Sequence, residues 1–401
     1  MEGRHLKLKE KWLSFYNSSI DAQSLYLMSF FAVFFMEFLL NSTFIPYIPM
    51  NVVTWAVYPF ILPAIFKLYF LDDYGALEKV GITIVLLLAL ISWRKTQSNR
   101  LLLMLILIFS AKNVNFNLLI KAYFKVIVSL IIAVMIFSLL GFIDNLTYYR
   151  NSIARHSFGI DYPTDFAAYV FSAILAYCYV YFKKLNYLHY ILIIIIALLV
   201  NYFTNARLDT IVIILVVPIM IIAKRAQNGK KVSKIIAAHF WTVYPLLSFI
   251  AIYATYFFDP TNKIYRFANN LLSGRLYYGK LAFQKYGFSI FGQNVIERGW
   301  GSSTGHKLMN SISAGNYFYI DSSYIRLAVI YGVIMLILLL FIVLVISIRE
   351  TSLSEYILPG ILLLLSISAL IDQHFLEVAC NPYLVALLST INRRNLKNEN
   401  I

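Results

Sequence analysis

The chain has little charge and few cysteines for its length. Only 13% of its 401 residues are Asp, Glu, Lys or Arg, whereas 60% are hydrophobic. The mean hydropathy is +0.73. So few charged residues leave too little polar surface for a soluble protein, and the repeated apolar runs are long enough to cross a bilayer. The composition therefore predicts a polytopic integral membrane protein.

The scarcity of cysteine and of acidic residues excludes further classes. Cys178 and Cys380 both lie in or beside apolar runs, which supports neither a disulfide framework nor a metal site. Acidic residues number 19 against 34 basic ones, and the formal net charge is +15. In a soluble domain this balance would suggest nucleic acid, but here much of the charge lies in loops that set membrane orientation. We expect anionic lipid rather than nucleic acid as its partner.

Several catalytic motifs are also absent. The sequence contains no P-loop, no HExxH, no GxSxG and, in the segments predicted to face outward, no Asp-x-Asp. The last absence argues against a nucleotide sugar held by a metal ion. Residues 1–23 are too polar for a cleaved signal peptide, so we expect the first apolar run to be retained.

The apolar runs predict an all-α fold in a single membrane domain covering residues 1–401. The twelve predicted helical spans are 25–45, 52–71, 79–93, 100–113, 124–143, 164–182, 187–204, 208–223, 239–257, 323–348, 356–372 and 375–391. If the N-terminus is cytoplasmic, 20 of the 34 Lys and Arg residues fall in cytoplasmic segments. Eight of the other 14, counting Arg326 at the start of the tenth span, belong to one long loop, where the positive-inside bias applies poorly. We therefore place both termini in the cytoplasm.

The longest interruption between apolar runs is segment 258–322, predicted to be a large loop on the outer side. Loops of this length are usually functional or disordered. This segment is rich in Tyr, Phe and Trp and carries seven Lys or Arg residues against three acidic ones. Apolar and polar residues from 273 to 292 recur at spacings of three and four, which predicts an amphipathic helix with Arg275 in its first turn.

Three arginines in separate outer segments are candidates for binding an anion. Arg155 precedes the sixth span, Arg207 follows the seventh, and Arg275 lies in the long loop. They have no matching cluster of acidic residues in the sequence, and a lipid diphosphate could accept bidentate hydrogen bonds from them. Each charge pair would contribute roughly 4 kcal/mol before desolvation. Alternatively, Arg155 contacts lipid headgroups and Arg207 snorkels to the membrane surface or pairs with Asp209.

Two residues of the long loop are candidates for proton transfer. Histidine side chains in general titrate close to neutral pH, which makes His306 a candidate general base, and Asp321 lies where the loop enters the tenth span. Asp209 and Asp165 are further candidates. A lone histidine in a loop also occurs without a catalytic role, and His374 is predicted to be structural.

Five fragments carry a resemblance to a known family. They are RHSFGIDYPTDFAAY from Arg155, TNARLD from Thr204, SGRLYYGKLAF from Ser273, GFSIFGQN from Gly287 and DSSYIRLAVIYGV from Asp321. In their order and spacing the chain resembles the Wzy-type repeat-unit polymerases of O-antigen and capsular polysaccharide, which are related in architecture to O-antigen ligases.

The resemblance implies a GT-C-like helical bundle in the bacterial cytoplasmic membrane. It implies a metal-independent glycosyltransferase that transfers a growing glycan from undecaprenyl diphosphate to a new lipid-linked repeat unit. Arg155, Arg207 and Arg275 would bind the diphosphate, no cofactor would be needed, and His306 would match the loop histidine of the ligases. A flippase and a chain-length regulator are possible protein partners.

Three other functions stay open at this point. A lipid-linked oligosaccharide flippase or transporter is also polytopic and basic, although such proteins tend to bury ionisable groups in mid-span. A ligase would transfer glycan to a different acceptor, and a non-enzymatic scaffold would not require the arginines.

Overall fold

The computed structural model describes residues 21–309 and 317–393, which form sixteen α-helices and one β-hairpin. The first eight helices are α1 Ala22–Leu40, α2 Met50–Phe66, α3 Ala76–Thr96, α4 Arg100–Phe109, α5 Phe116–Leu139, α6 Pro163–Val180, α7 Tyr187–Thr204 and α8 Arg207–Gln227. The other eight are α9 Lys231–Ala238, α10 Val243–Tyr256, α11 Lys263–Leu271, α12 Arg275–Tyr286, α13 Ser302–Met309, α14 Ser323–Arg326, α15 Val333–Ser352 and α16 Ile357–Ser368. The hairpin consists of β1 Thr147–Arg150 and β2 Ile153–His156.

Seven helical stretches in the described part of the chain are long and apolar enough to cross a membrane. They are Ala22–Leu40, Met50–Leu71, Ala76–Thr96, Phe116–Leu139, Tyr187–Thr204, Lys231–Tyr256 and Val333–Ser352. The protein is therefore a helical protein embedded in a membrane. The terminal segments on which the predicted orientation partly depends, with Arg4 and Arg394 among their basic residues, lie outside the described residues.

Eleven of the twelve predicted spans contain an α-helix, but the prediction of a helix at 375–391 is wrong. These residues, all of them described, form the 3-10 turns His374–Leu376 and Pro382–Leu387. A polar side chain here takes a backbone carbonyl that a helix would use for its own hydrogen bonds, since Asn381 donates to the carbonyl of Phe375 at 2.9 Å. The predicted span 100–113 contains only the ten-residue α4, about 15 Å long and half the thickness of a hydrocarbon core. The count of twelve crossings stays a prediction.

Helices α6 and α16 occupy the centre of the bundle. Fourteen of the 18 residues of α6 and eleven of the 12 residues of α16 are buried. Helix α6 packs against α5 and α8, and α8 in turn packs against α7 and α16. Pro163 starts α6, as the sequence predicts, because its missing N–H would have had no partner in the first turn. The first turn of α6 therefore places polar residues over the core of the bundle.

The β-hairpin is a departure from the predicted all-α fold, and it is fixed close to the start of α6. Gly159, with φ +83°, follows β2, and a Cβ atom there would lie 2.6 Å from Cγ1 of Val134 on α5. Only glycine allows both this backbone conformation and this approach. The hairpin is thereby held against the end of α5.

The long segment 258–322 is helical over much of its described length. It contains α11, α12 and α13, and α12 begins at Arg275 as predicted. Between α12 and α13 the chain is anchored to the π-helical turn Leu327–Tyr331, because the N–H of Gln293 donates to the carbonyl of Ile330 at 2.8 Å. The segment is therefore packed onto the helices that follow it.

Candidate functional site

Four segments that are far apart in sequence meet at one end of the bundle. The Nε atom of Arg155, on β2, donates to the carbonyl of Thr204 at the end of α7 at 2.8 Å. Arg275 Nε, at the start of α12, donates to the carbonyl of Ile371 at 2.7 Å. The hydroxyl of Tyr148, on β1, donates to the carbonyl of Trp300 at 3.0 Å. The hairpin, the α7–α8 turn, the long segment and the stretch after α16 thus form one surface.

Arg155 is the most deeply buried of the three predicted arginines. Arg155 is only 2% exposed, and its guanidinium lies 5.3 Å from the ring centre of Tyr162. Nη1 reaches the Tyr162 hydroxyl at 3.4 Å, whereas Nη2 has no hydrogen-bond partner among the described residues. A buried donor without a partner is costly, which makes this nitrogen a candidate contact for an anion.

Two further arginines accompany Arg155. Arg207 is exposed and donates from Nε to the side-chain oxygen of Asn205 at 3.1 Å, and Arg150 reaches the carbonyl of the same asparagine at 3.5 Å. Burial and the neighbouring charges of Arg155, Arg207 and Arg275 lower the pKa of Arg150. In the described ranges none of Arg150, Arg155 and Arg207 forms an ion pair. We call these three residues the arginine trio.

Arg275, unlike the arginine trio, lies close to several acidic residues. The expectation that the three predicted arginines have no cluster of acids near them is therefore wrong for Arg275. Its Nε lies 3.8 Å from Oδ2 of Asp321, and the carboxyls of Asp209 and Asp372 are also close enough to act on its charge. Asp209 and Asp372 are buried and hydrogen-bonded to each other. Burial lowers the pKa of Arg275, but Asp321 and the other acids outweigh it, so the net pKa is raised. Arg275 is thus an ion-pair partner, next to the arginine trio.

Asp321 faces the site with part of its carboxyl accessible. Its side chain is 28% exposed. Burial raises the pKa of Asp321, and the facing Arg275 opposes this shift only in part. A carboxyl whose pKa is raised towards neutrality is better suited to accept a proton in catalysis.

His306 lies at the edge of the same surface. Its ring packs edge-on against Tyr148, with ring centres 4.9 Å apart. Nε2 lies 2.9 Å from the carbonyl of Thr147, so this nitrogen carries the proton and donates it, which leaves Nδ1 as an acceptor. This hydrogen bond joins α13 to β1 and occupies one of the two ring nitrogens of His306.

Aromatic rings connect the arginines with the long segment. Tyr148 packs against Tyr162 at 4.6 Å between ring centres, and Tyr317 packs against Trp300 at 4.4 Å and Tyr278 at 4.9 Å. Aromatic faces of this kind can cover the apolar faces of sugar rings. The surface therefore combines guanidinium groups, carboxyls and aromatic rings.

A second cluster of charges lies beneath this surface and is centred on His374. Nε2 of His374 lies 3.1 Å from Oδ1 of Asp165, and Nδ1 lies 2.9 Å from Oε2 of Glu377. Oε1 of Glu377 accepts from Nη1 of Arg100 at 2.5 Å, and Oε2 also accepts from Asn41 at 3.0 Å. We call these five residues the His374 network. It joins α1, α4, α6 and the stretch after α16.

Two residues of the network, His374 and Glu377, form with Cys380 a group of described residues that could hold a metal ion. The ligating atoms of His374, Glu377 and Cys380 all lie within 4.8 Å of one another. His374 and Glu377 are already held in place by hydrogen bonds within the protein, so their arrangement does not require a metal ion. Cys178 and Cys380 are both buried and unbridged.

Sequence reasoning missed parts of both clusters. Arg150 was not among the candidate site residues, yet it joins the arginine trio, and Asp372 was not considered beside Arg275. His374 was predicted to be structural, and that stays a prediction; what the sequence did not indicate is its two carboxylate partners, which lie 209 and 3 residues away. The dense charge in IDQHFLE, within an otherwise apolar run, was the available signal.

Comparisons of the chain with protein-family models, with curated proteins and with solved structures found no match.

Proposed function

We propose that the protein is a membrane glycosyltransferase that polymerises oligosaccharide repeat units carried on undecaprenyl diphosphate. The product would be O-antigen, capsular or exopolysaccharide, made at the outer face of the bacterial cytoplasmic membrane. In this proposal the helices form a GT-C-like bundle of about twelve spans with both termini in the cytoplasm. Segment 258–322 then lies on the outer side.

The observation that carries the proposal is the arginine trio with its unpartnered buried nitrogen. Three guanidinium groups lie together, among the described residues none of them is paired with a carboxylate, and Nη2 of Arg155 has no partner. A diphosphate would supply the missing acceptors through charge-assisted hydrogen bonds. Nucleotide sugars are confined to the cytoplasm, so a sugar transferase with an outward site needs a donor delivered on a lipid.

The proposed reaction needs a stabilised leaving group and a base. A glycosidic bond forms between the donor sugar's anomeric carbon and a hydroxyl oxygen of the acceptor, while the bond from that carbon to the diphosphate oxygen breaks. The departing diphosphate keeps the electron pair, and the arginines stabilise its charge. The hydroxyl proton passes to a base, for which Asp321 and His306 are the candidates. The geometry favours Asp321, which lies beside Arg275, over His306, which donates to the backbone at Thr147.

The His374 network bears on the transporter alternative. Intramembrane ionisable residues often mark a transport path. Here Arg100 is the first residue of α4, Asp165 the third of α6, and Asn41 directly follows α1. The network therefore lies at the ends of its helices and not at mid-span, which favours the glycosyltransferase over a transporter. Ligase activity remains the alternative that uses the same site.

Complementation of a deletion strain tests the proposal. Loss of the gene is expected to leave surface glycan at a single repeat unit, seen on gels of lipid-linked and surface glycan. Loss of a ligase would instead leave long chains on the carrier lipid, and loss of a flippase would trap single units inside the cell.

Single substitutions connect this experiment to the site. Arg207→Ala and Arg275→Ala are expected to fail to restore long chains. Arg266→Ala is the matched control, because Arg266 lies in the same long segment but is exposed on α11. Full-length polymer from Arg207→Ala, at normal protein levels, would refute the diphosphate role of the arginine trio, and full-length polymer from Arg275→Ala would show that chain growth does not need the Arg275–Asp321 pair.

A further inference from the structure

Helix α11 has an apolar face that the described part of the chain leaves open. Ile264, Phe267 and Leu271 are 78%, 72% and 59% exposed, and none of the nine residues of the helix is buried. Spacings of three and four residues place these three side chains on one face of the helix. Exposed apolar side chains that are grouped in this way mark a surface that contacts a partner or a membrane.

The other faces of α11 show how the helix is turned relative to the protein. Tyr265 and Asn269 are partly buried and lie on the side that contacts the protein. The ring of Tyr265 packs against Phe258 at 6.0 Å between ring centres. Arg266 is exposed and lies about 200° around the helix from Ile264, which is close to the opposite face. The helix therefore has one side on the protein, one apolar side and one polar side.

Both ends of α11 are held at the end of α10. At its first turn the helix contacts Phe258, which lies two residues beyond the last residue of α10. At its last turn the side chain of Asn269 accepts from the N–H of Tyr277 on α12 at 3.0 Å. The backbone of α12 then approaches α10 so closely that a Cβ atom on Gly279 would lie 2.5 Å from Cγ2 of Thr255. Helix α11, about 14 Å long, therefore runs across the end of α10 and not away from it.

Helix α10 indicates where the membrane surface lies. It is the last part of the stretch Lys231–Tyr256, which is long and apolar enough to cross a bilayer. Tyr253 in its last turn and Phe257 just beyond it are exposed, and their rings lie 4.7 Å apart. Aromatic rings are enriched where a membrane-spanning segment meets the headgroup region. The apolar face of α11 is therefore at the level of the headgroups.

We propose that α11 lies in the membrane surface, with Ile264, Phe267 and Leu271 inserted between the lipids of the adjacent leaflet. The bilayer is the partner because the apolar face of α11 continues the exposed apolar surface of α10. A short amphipathic helix with basic residues on its polar side is typical of this location. Lys263, exposed at the start of the helix, extends its amine to the lipid phosphates, whereas Arg266 faces water.

Helix α12 provides a comparison within the same segment. Its residues Leu276, Ala282 and Phe283 are buried, since α12 packs against α10. Protein thus covers the apolar side chains of α12, and lipid covers those of α11. Because Asn269 joins the two helices, insertion of α11 fixes the position of α12 relative to the bilayer. The inference does not depend on the proposed function, since no step of it uses the arginine trio.

Spin labels on single introduced cysteines test the inference in the full-length protein. Ile264→Cys and Leu271→Cys place a label on the apolar face, and Arg266→Cys is the matched control on the polar face of the same helix. The native thiols of Cys178 and Cys380 are buried, and wild-type protein treated with the label gives the background signal.

The labelled proteins are reconstituted into vesicles of equal parts phosphatidylethanolamine and phosphatidylglycerol. Power saturation of the electron paramagnetic resonance signal then compares collisions of the label with oxygen, which enters the bilayer, and with a water-soluble nickel chelate. We expect both labels of the apolar face to lie roughly 5–10 Å into the boundary between headgroups and acyl chains, and the control label to be in water.

The other possible results overturn the inference. If the labels at Ile264 and Leu271 collide with the nickel chelate as often as the label at Arg266, the apolar face is in water. Rare collisions with both reagents would show that protein covers the face. Spectral broadening that disappears on dilution with unlabelled protein would identify that covering protein as a second copy of this chain. Two label positions keep the test decisive if one variant does not fold.

Discussion

The arginine trio and the His374 network differ in whether their charged side chains have partners of opposite charge. In the network, Arg100, Asp165, His374 and Glu377 each have a partner able to carry the opposite charge, at 2.5–3.1 Å. In the trio, the guanidinium groups contact only carbonyl, amide and hydroxyl oxygens of the described residues. The two clusters are close in sequence at one point, since Asp165 of the network, in the first turn of α6, lies ten residues beyond Arg155 of the trio.

This difference separates a structural role from a binding role. Charges that are already matched within the protein gain little from a ligand, and their removal leaves a partner unpaired in a buried place. Charges without a partner keep their capacity to bind an anion from outside. We therefore expect substitutions in the network to reduce stability and substitutions in the trio to reduce diphosphate binding.

The largest effect is expected from Glu377→Gln. Glu377 is fully buried and accepts hydrogen bonds from Arg100, His374 and Asn41. The neutral amide leaves the Arg100 charge without its partner, and breaking a buried pair in this way costs about 3–5 kcal/mol of unfolding free energy. Thermal or denaturant unfolding of the purified protein in detergent measures the loss.

Glu78→Gln provides the control for this prediction. Glu78 is exposed and caps the start of α3 by accepting from the N–H of Gly75 at 2.8 Å. Its neutral replacement is expected to cost no more than about 1 kcal/mol. Equal stability of both variants would show that the matched charges do not hold the helices together.

Arg155→Ala is expected to act mainly on binding. It removes the buried nitrogen that lacks a partner, and the folded protein loses the hydrogen bonds to Thr204 and Tyr162 and the contact with the Tyr162 ring, but no ion pair among the described residues. One hydrogen bond to a charged group contributes about 1.5–3 kcal/mol, which corresponds to a loss of roughly 10- to 150-fold in pyrophosphate affinity. Isothermal titration of wild type and variant checks it. A variant that unfolds far more easily but binds pyrophosphate normally would reverse the roles assigned to the two clusters.

Asp161, in the segment that links the hairpin to α6, is expected to make the free energy of unfolding depend on pH. Burial, and next the nearby charge of Asp165, raise the pKa of Asp161 from 3.8 to about 8. The folded state therefore holds this proton more tightly than the unfolded chain, so the contribution of Asp161 to stability is complete below about pH 4 and is lost as the pH rises to about 8. Asp161→Asn removes the titration, and we expect it to melt higher than the wild type at pH 8 but similarly near pH 4. A wild-type advantage at pH 8 would contradict the predicted sign.

The sequence predicted much of this architecture for identifiable physical reasons. Long apolar runs gave the helices, Pro163 gave the start of α6, and the spacing of residues 273–292 gave α12. The predicted helix at 375–391 was wrong, because its apolar composition concealed two polar side chains with other partners. Glu377 accepts from the side chains of Asn41 and Arg100, and Asn381 donates to the carbonyl of Phe375. Which charged side chains pair with one another could not be predicted from the sequence, since partners such as Asp165 and His374 lie 209 residues apart. The positions of arginines are visible in a sequence, but their partners depend on packing.

The smallest effect is expected from His306→Gln, and it separates the two candidate bases. His306 donates one neutral hydrogen bond to the carbonyl of Thr147, and such a bond contributes about 0.5–1.5 kcal/mol to stability. The glutamine amide can donate the same bond, so we expect nearly unchanged stability and full-length polymer in the complemented strain. Asp321→Asn keeps the shape of the side chain but cannot accept the acceptor's proton, and it is expected to abolish chain growth. Long chains from Asp321→Asn together with their loss in His306→Gln would assign the base to His306 and move the reaction centre from α12 towards the hairpin.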